Sequence, residues 1–301
     1  MKFNNLQEFR EALQNVAADK AYNTEEAYLN SGNIEDYFFK KNLLAYKKFH
    51  IESSQSDNKD KVHLAFIFSF FEVIAGEHSE NIGIHYTDMR SKNQTWILNR
   101  IDLDIKALPN KYDDIRVYTW QSKQSAVGFY REFLVFNENN EAIIAARSFW
   151  SIMDLSSRTI IPSNEIVASQ ENPFILPVKT TNAKLKSIKA SLPEDDNKIS
   201  YKYLIGYSDL DANNHVNNTR YINMVINAVD FLNLGLDIES FEVNYTSELV
   251  KGDLVSIEAS IVEETNEYYS LAVYIKFLDN LIESNKQEEH DSLKALVKLR
   301  K

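Results

Sequence analysis

Leu6, Phe9, Leu13 and Val16 recur at helical spacing near the start of the chain, and the residues after them, through Asn33, turn polar. Apolar positions three and four apart predict a helix that buries one face, so residues 1–40 read as an N-terminal helical extension. A strand is expected over 43–51, a polar loop over 53–60 and an apolar helix over about 61–78. Strands follow over 96–105, 114–121, 128–136 and 142–153. Ile101, Leu103 and Ile105 alternate with Asp102 and Asp104, the pattern of a strand with one wet face. The polar stretch 137–141 reads as a hairpin turn. Strand, loop, helix and meander together make one α+β unit.

The same order returns later: a strand over 199–207, a loop over 208–214, a helix from about 216 to 234 and strands from 241 onward. Between the two copies, residues 162–196 hold four of the five prolines and little periodicity, the character of an interdomain linker. Residues 101–113 lie against 241–253 without a gap, with apolar and polar positions in agreement down to a shared Lys and Asp. The expected organisation is an extension over 1–40, a first domain over 41–165, a linker over 166–196 and a second domain over 197–301.

Composition narrows the chemistry. At 301 residues and 44% hydrophobic content the chain has material for two cores. The absence of cysteine excludes disulfides, thiolate metal sites and a cysteine nucleophile. Six scattered histidines without metal-ligand spacing give no reason to expect a metal or other cofactor. A net charge of -11 disfavours nucleic acid and anionic membranes as partners. The first fourteen residues carry Lys2, Glu8, Arg10 and Glu11, and the longest apolar run, 65–71, is too short to span a bilayer. A cytoplasmic location is therefore expected.

The densest polar cluster is 208–218, between a strand and an apolar helix. Asp211, Asn213 and His215 alternate, which in an extended segment puts all three side chains on one side. Asn214 or an adjacent polar residue is the expected N-cap, and helix N–H groups near Val216 would point to the same place, where they could polarise a carbonyl. The plainer reading is that Asp and Asn here only cap the helix and that His215 is structural. Alternation through 241–249 assigns Glu248 to a sheet face, with a solvent-facing edge as the other reading. In the first copy Asp57 lies against Asp211, Lys61 against His215 and Leu108 against Glu248, so imidazole and second carboxylate are both missing there.

The string from Asp211 to Tyr221, Tyr245–Glu248 downstream and Thr95–Arg100 upstream together resemble the acyl-acyl carrier protein thioesterases, over roughly residues 43–301. The resemblance implies a tandem, double hot dog fold, each long helix wrapped by an antiparallel β-sheet. It implies hydrolysis of fatty acyl thioesters on acyl carrier protein, with Asp211, Asn213, His215 and Glu248 as catalytic residues. Many plant members carry a cysteine after that glutamate; Leu249 here rules out a cysteine-based acyl-enzyme. The expected roles are Glu248 as base on water, Asn213 and the N–H near Val216 on the thioester oxygen, His215 on the water or its proton, and Asp211 as orienter. Whether Glu248 or His215 takes the proton stays open.

Trp96 and, on the first apolar helix, Phe70 are candidates to contact the acyl chain, with core packing as the alternative for Phe70. Lys179, Lys184, Lys186 and Lys189 lie in a stretch, 172–192, that contains no acid; Lys184 and Lys186 are the candidate docking residues for the acidic carrier protein, against a solvated linker. An acyl-CoA thioesterase, a non-catalytic acyl-binding protein and a hydratase on the same fold are the competing functions. A tandem chain already supplies what single-domain relatives gain by dimerising, and a homodimer is left open.

Overall fold

The computed structural model describes residues 1–18, 34–167, 174–182, 184–193, 198–282 and 288–301. Most of the polar stretch expected through Asn33, and parts of the expected linker, lie outside the described residues. The chain divides into two compact units: residues 1–63, 69–99 and 106–185 form one, and residues 64–68, 100–105 and 186–301 the other.

The first unit begins with α1 (Leu6–Ala17), capped by the Asn5 side chain accepting the Glu8 N–H, and α2 (Ile34–Lys40). The extension is not a body of its own. Phe9 is buried and stacks on Trp120 with ring centroids 5.1 Å apart, and Leu6, Leu13, Tyr37 and Phe38 join the same core. There follow β1 (Ala45–His50), α3 (Leu64–Asn81), α4 (Tyr86–Ser91), β2 (Gln94–Ile105), β3 (Asp114–Ser125), β4 (Gly128–Phe136), β5 (Ala142–Asp154), β6 (Thr159–Ile161) and α5 (Ser163–Val167). The ladder runs β1-β3-β4-β5, with β6 on β5.

Strand β4 is buried along almost its whole length because both faces are covered. Phe133 stacks on Phe71 of α3 at 4.3 Å. On the opposite face Leu134 and Phe136 meet the cluster built on α1. The α3 face also buries Arg131, whose Nη1 donates to His78 Nδ1 at 3.0 Å; His78 Nε2 donates onward to the Asn42 carbonyl.

The second unit holds β7 (Ile199–Leu204), α6 (Asn218–Asp230), β8 (Ile238–Tyr245), β9 (Asp253–Glu264), β10 (Tyr268–Asn280) and β11 (His290–Arg300). Its ladder runs β8-β11-β10-β9-β7, and Arg100–Asp104 of β2 pairs antiparallel with β8. Helix α6 buries Tyr221, Ile222, Met224, Val225, Ala228 and Val229, the stripe expected of a helix with one apolar face. Each unit is thus a helix laid against an antiparallel sheet, the hot dog arrangement. Both long helices start later than their apolar pattern suggests, at 64 and 218, because the residues before them are tied into short bridges.

Candidate active site

After β7 the chain turns through a short 3-10 helix, Tyr207–Asp209. Asp209 is buried and accepts the Gly206 N–H at 2.8 Å and the Tyr203 hydroxyl at 3.0 Å. A bridge between Leu210 and Val216 then closes a tight turn. Within it Asp211 N–H donates to the His215 carbonyl at 2.8 Å, and Asn214 N–H to the Asp211 carbonyl at 3.1 Å. Asp211 Oδ1 accepts the N–H groups of Asn213 (2.8 Å) and His215 (3.2 Å), and Asn213 Nδ2 lies 3.4 Å from Asp211 Oδ2.

The segment is therefore a turn rather than extended. Asn214 has a left-handed φ of 61°, a conformation asparagine tolerates better than most residues. One carboxylate organises the turn by accepting the N–H groups that a reversing backbone leaves without ladder partners.

Three further expectations change. The N-cap is Asn217, whose Oδ1 accepts the Thr219 N–H at 2.8 Å, and not Asn214. Val216 cannot offer its N–H to a substrate oxygen, because that N–H donates to the Leu249 carbonyl at 2.8 Å. Glu248 lies beyond the end of β8, in the loop before β9, and not on a sheet face. The alternation fails there because the chain has left the ladder.

The same bridging brings the site together. His215 pairs with Val250, and His215 Nε2 stands 3.5 Å from Glu248 Oε2, with side chains 23% and 33% exposed. The separation is long for a hydrogen bond, within the range that tightens when substrate binds. Asp253 fixes the far side: its carboxylate accepts the Val250 N–H at 2.8 Å and Asn280 Nδ2 at 2.6 Å. Gly252 supplies a left-handed φ of 91° between them. The arrangement joins a carboxylate and an imidazole in partly solvated space, a pair able to deprotonate water, while the Asn213 amide is placed by its contact with Asp211 in the adjoining turn. Asp209 and Asp253 support the site without having been named as candidates; the signals available were the place of Asp209 in the polar cluster 208–218 and the repeat register of Asp253 with Asp113.

The first unit repeats the turn and the bonds that anchor it. Asp57 N–H donates to the Lys61 carbonyl at 2.7 Å and Asp60 N–H to the Asp57 carbonyl at 3.1 Å. The Asp57 carboxylate takes the Lys59 and Lys61 N–H groups at 2.8 and 2.9 Å, and Asp60 has a φ of 58°. Val62 N–H reaches the Pro109 carbonyl at 3.0 Å, and Asp113 accepts the Asn110 N–H at 2.8 Å. The scaffold is duplicated and the reactive groups are not. Lys59, Lys61 and Leu108 occupy the places of Asn213, His215 and Glu248, and Lys61 Nζ is bound to Asn110 Oδ1 at 2.7 Å.

Trp96, on β2, packs edge-on against Phe129 and Trp150 in an aromatic cluster of the first unit. Phe70 is buried on α3 and stacks on Phe49 at 4.3 Å, a core contact. Lys179, Lys184, Lys186 and Lys189 are all exposed.

Known proteins resemble this chain in sequence and in fold. Residues 42–169 match the acyl-ACP thioesterase N-terminal domain and residues 193–295 the acyl-ACP thioesterase C-terminal domain. A palmitoyl-acyl carrier protein thioesterase of Gossypium hirsutum is 30% identical over 141 residues, which cover 46% of this chain and 34% of that protein. An oleoyl-acyl carrier protein thioesterase of Coriandrum sativum is 24% identical over 246 residues, 73% of this chain and 64% of that one. The chain thus spans less than two thirds of the length of these curated relatives. Among solved structures, the 12:0-ACP thioesterase from Umbellularia californica superposes with a TM-score of 0.72 at 18% identity, covering 86% of this chain and 98% of that one. An acyl-ACP thioesterase from Bacteroides thetaiotaomicron gives 0.66 at 22% identity, covering 87% and 99%. At these identities the likeness establishes the tandem hot dog fold.

Proposed function

Because the chain belongs to the acyl-ACP thioesterase family, we propose that it hydrolyses fatty acyl thioesters carried on acyl carrier protein, releasing free fatty acid. The reading rests on one observation above others: His215 Nε2 and Glu248 Oε2 lie 3.5 Å apart beside the turn organised by Asp211. Glu248 takes a proton from water, with His215 positioning that water and sharing the proton. The oxygen of water bonds to the thioester carbon while Asn213, its amide oriented by Asp211, donates to the carbonyl oxygen. Collapse of the tetrahedral species breaks the carbon–sulfur bond, and the departing thiolate takes up the proton. Leu249 follows Glu248 where a cysteine-based acyl-enzyme would need a thiol, and attack by water needs no such group.

The exposed lysines at 179, 184, 186 and 189 lie in a stretch of sequence without acids, a local positive charge suited to an acidic carrier on a chain whose net charge is -11. The direct test is thiol release from acyl carrier protein and CoA esters over several chain lengths. Carrier protein esters are expected to have the higher kcat/KM. A preference for CoA esters would reassign the carrier, and no thiol release from either would refute the hydrolase.

A further inference from the structure

The peptide group joining Leu249 to Val250 is gripped from both sides. Its carbonyl accepts the Val216 N–H at 2.8 Å, and its N–H donates to Asp253 Oδ2 at 2.8 Å. A trans peptide points these two groups in opposite directions, so the two bonds pin it between the turn before α6 and the start of β9. His215 stands one residue before Val216, and Glu248 one residue before Leu249. The pinned peptide therefore keeps in register the two segments that carry the reactive side chains.

Asp253 is 4% exposed and is itself held. It lies directly opposite Asn280 in the β9–β10 ladder, and Asn280 Nδ2 donates to Asp253 Oδ1 at 2.6 Å. Asn280 Oδ1 accepts the Ile282 N–H at 2.9 Å, which turns the amide nitrogen toward the carboxylate.

The first copy grips the equivalent peptide in the same way. Val62 N–H holds the Pro109 carbonyl at 3.0 Å, and Asn110 N–H donates to Asp113 Oδ2 at 2.8 Å. Its β3–β4 ladder stops at Arg116 opposite Phe136, and Asp113 takes the side-chain amide of Asn110 instead. Among the described residues, only the copy that carries the imidazole and the second carboxylate adds a cross-strand amide to this aspartate.

We propose that Asp253 and Asn280 are positioning residues for hydrolysis: the Asn280 amide orients the Asp253 carboxylate, which holds the Leu249–Val250 peptide and so keeps Glu248 in reach of His215. The inference rests on reading Glu248 and His215 as the hydrolytic pair. Catalytic groups must be held to within about half an ångström of their working geometry, and the grip acts one residue from each of them.

Asp253→Asn leaves one acceptor where two donors converge, and Asn280 cannot turn its amide over without releasing the Ile282 N–H. The expected result is a fall in kcat of about tenfold with KM unchanged, since small misplacements of a catalytic group cost turnover before binding. Adding Asn280→Asp returns a carboxylate opposite the new amide, and the exchange is expected to restore kcat to within about threefold of wild type. A lower Tm with undiminished kcat in Asp253→Asn, or a folded double variant that recovers nothing, would overturn the positioning role. Should Asp253→Asn not fold, Asn280→Ala removes only the cross-strand donor; a fall in kcat of about threefold is expected, and no fall would overturn the role equally. In a Glu248→Gln background Asp253→Asn is expected to cost little more, because residues acting through one function are non-additive. If Glu248→Gln by itself retained full turnover, the hydrolytic pair would be wrong and this inference would go with it.

Discussion

A carboxylate and an imidazole 3.5 Å apart can exchange one proton, and the two substitutions that separate their roles are Glu248→Gln and His215→Ala. Glutamine keeps the size and hydrogen-bonding reach of Glu248 but accepts no proton at working pH. Loss of the base is expected to lower kcat by roughly a hundredfold to ten-thousandfold. The variant that also removes the acid limb of the kcat/KM pH profile identifies the group that takes the proton. Near-normal turnover in both folded variants would contradict the assignment. The first copy supplies the internal contrast: its turn has the same hydrogen bonds around Asp57, and Lys61 and Leu108 in place of the reactive pair.

The end of β2 that belongs to the second unit, residues 100–105, brings like charges face to face with β8. In the β2–β8 ladder Asp102 lies directly opposite Glu242. Burial, with the Glu242 and Asp104 charges behind it, pushes the Asp102 carboxyl up to about 7; an unfolded aspartate ionises near 3.9. Between roughly pH 4 and pH 7 the folded chain therefore holds a proton that the unfolded chain has released. The contribution of this group to stability falls as pH rises through that window, by up to about 1.4 kcal/mol per pH unit, and the full penalty is present above it. Asp102→Asn should raise Tm relative to wild type at pH 8, with the difference closing toward pH 4. Thermal melts giving the same difference at both ends of the range would mean that Asp102 ionises normally. Arg100 next to the pair donates to Ser187, and Ile188 N–H to Asn244 on the same ladder face, so residues 187–188 cover a surface that alternation alone describes as wet.

At the scale of the molecule the question is how a chain of net charge -11 receives an acidic protein. Electrostatic complementarity governs encounter more than chemistry. Lys184→Glu with Lys186→Glu is accordingly expected to raise KM for the carrier protein ester several-fold, with an effect that shrinks at high salt, and to leave a small acyl thioester unchanged. Equal losses on both substrates would remove the docking role. The two-unit division also gives the N-terminal residues a structural task, since Phe9 and Leu13 cover Trp120 and Phe136 on a sheet face that would otherwise be open.

The repeat, the helix-on-sheet units and the Asp211–His215 cluster were legible in the sequence because each is local: periodicity records which face is buried, and a turn records its own capping residues. The commitment of the Val216 N–H was not, since it depends on the Leu249 carbonyl, more than thirty residues away, and the helix starts were not, since the residues before them bridge to Asn110 and Val250. Alternation placed Glu248 on a strand, whereas the chain leaves the ladder at Tyr245. Only the tertiary bridge between His215 and Val250 brings that carboxylate to the imidazole. Residue types and their order thus fixed which groups are available for chemistry. Their meeting was decided by long-range backbone hydrogen bonds, whose partners leave no pattern in the neighbouring sequence.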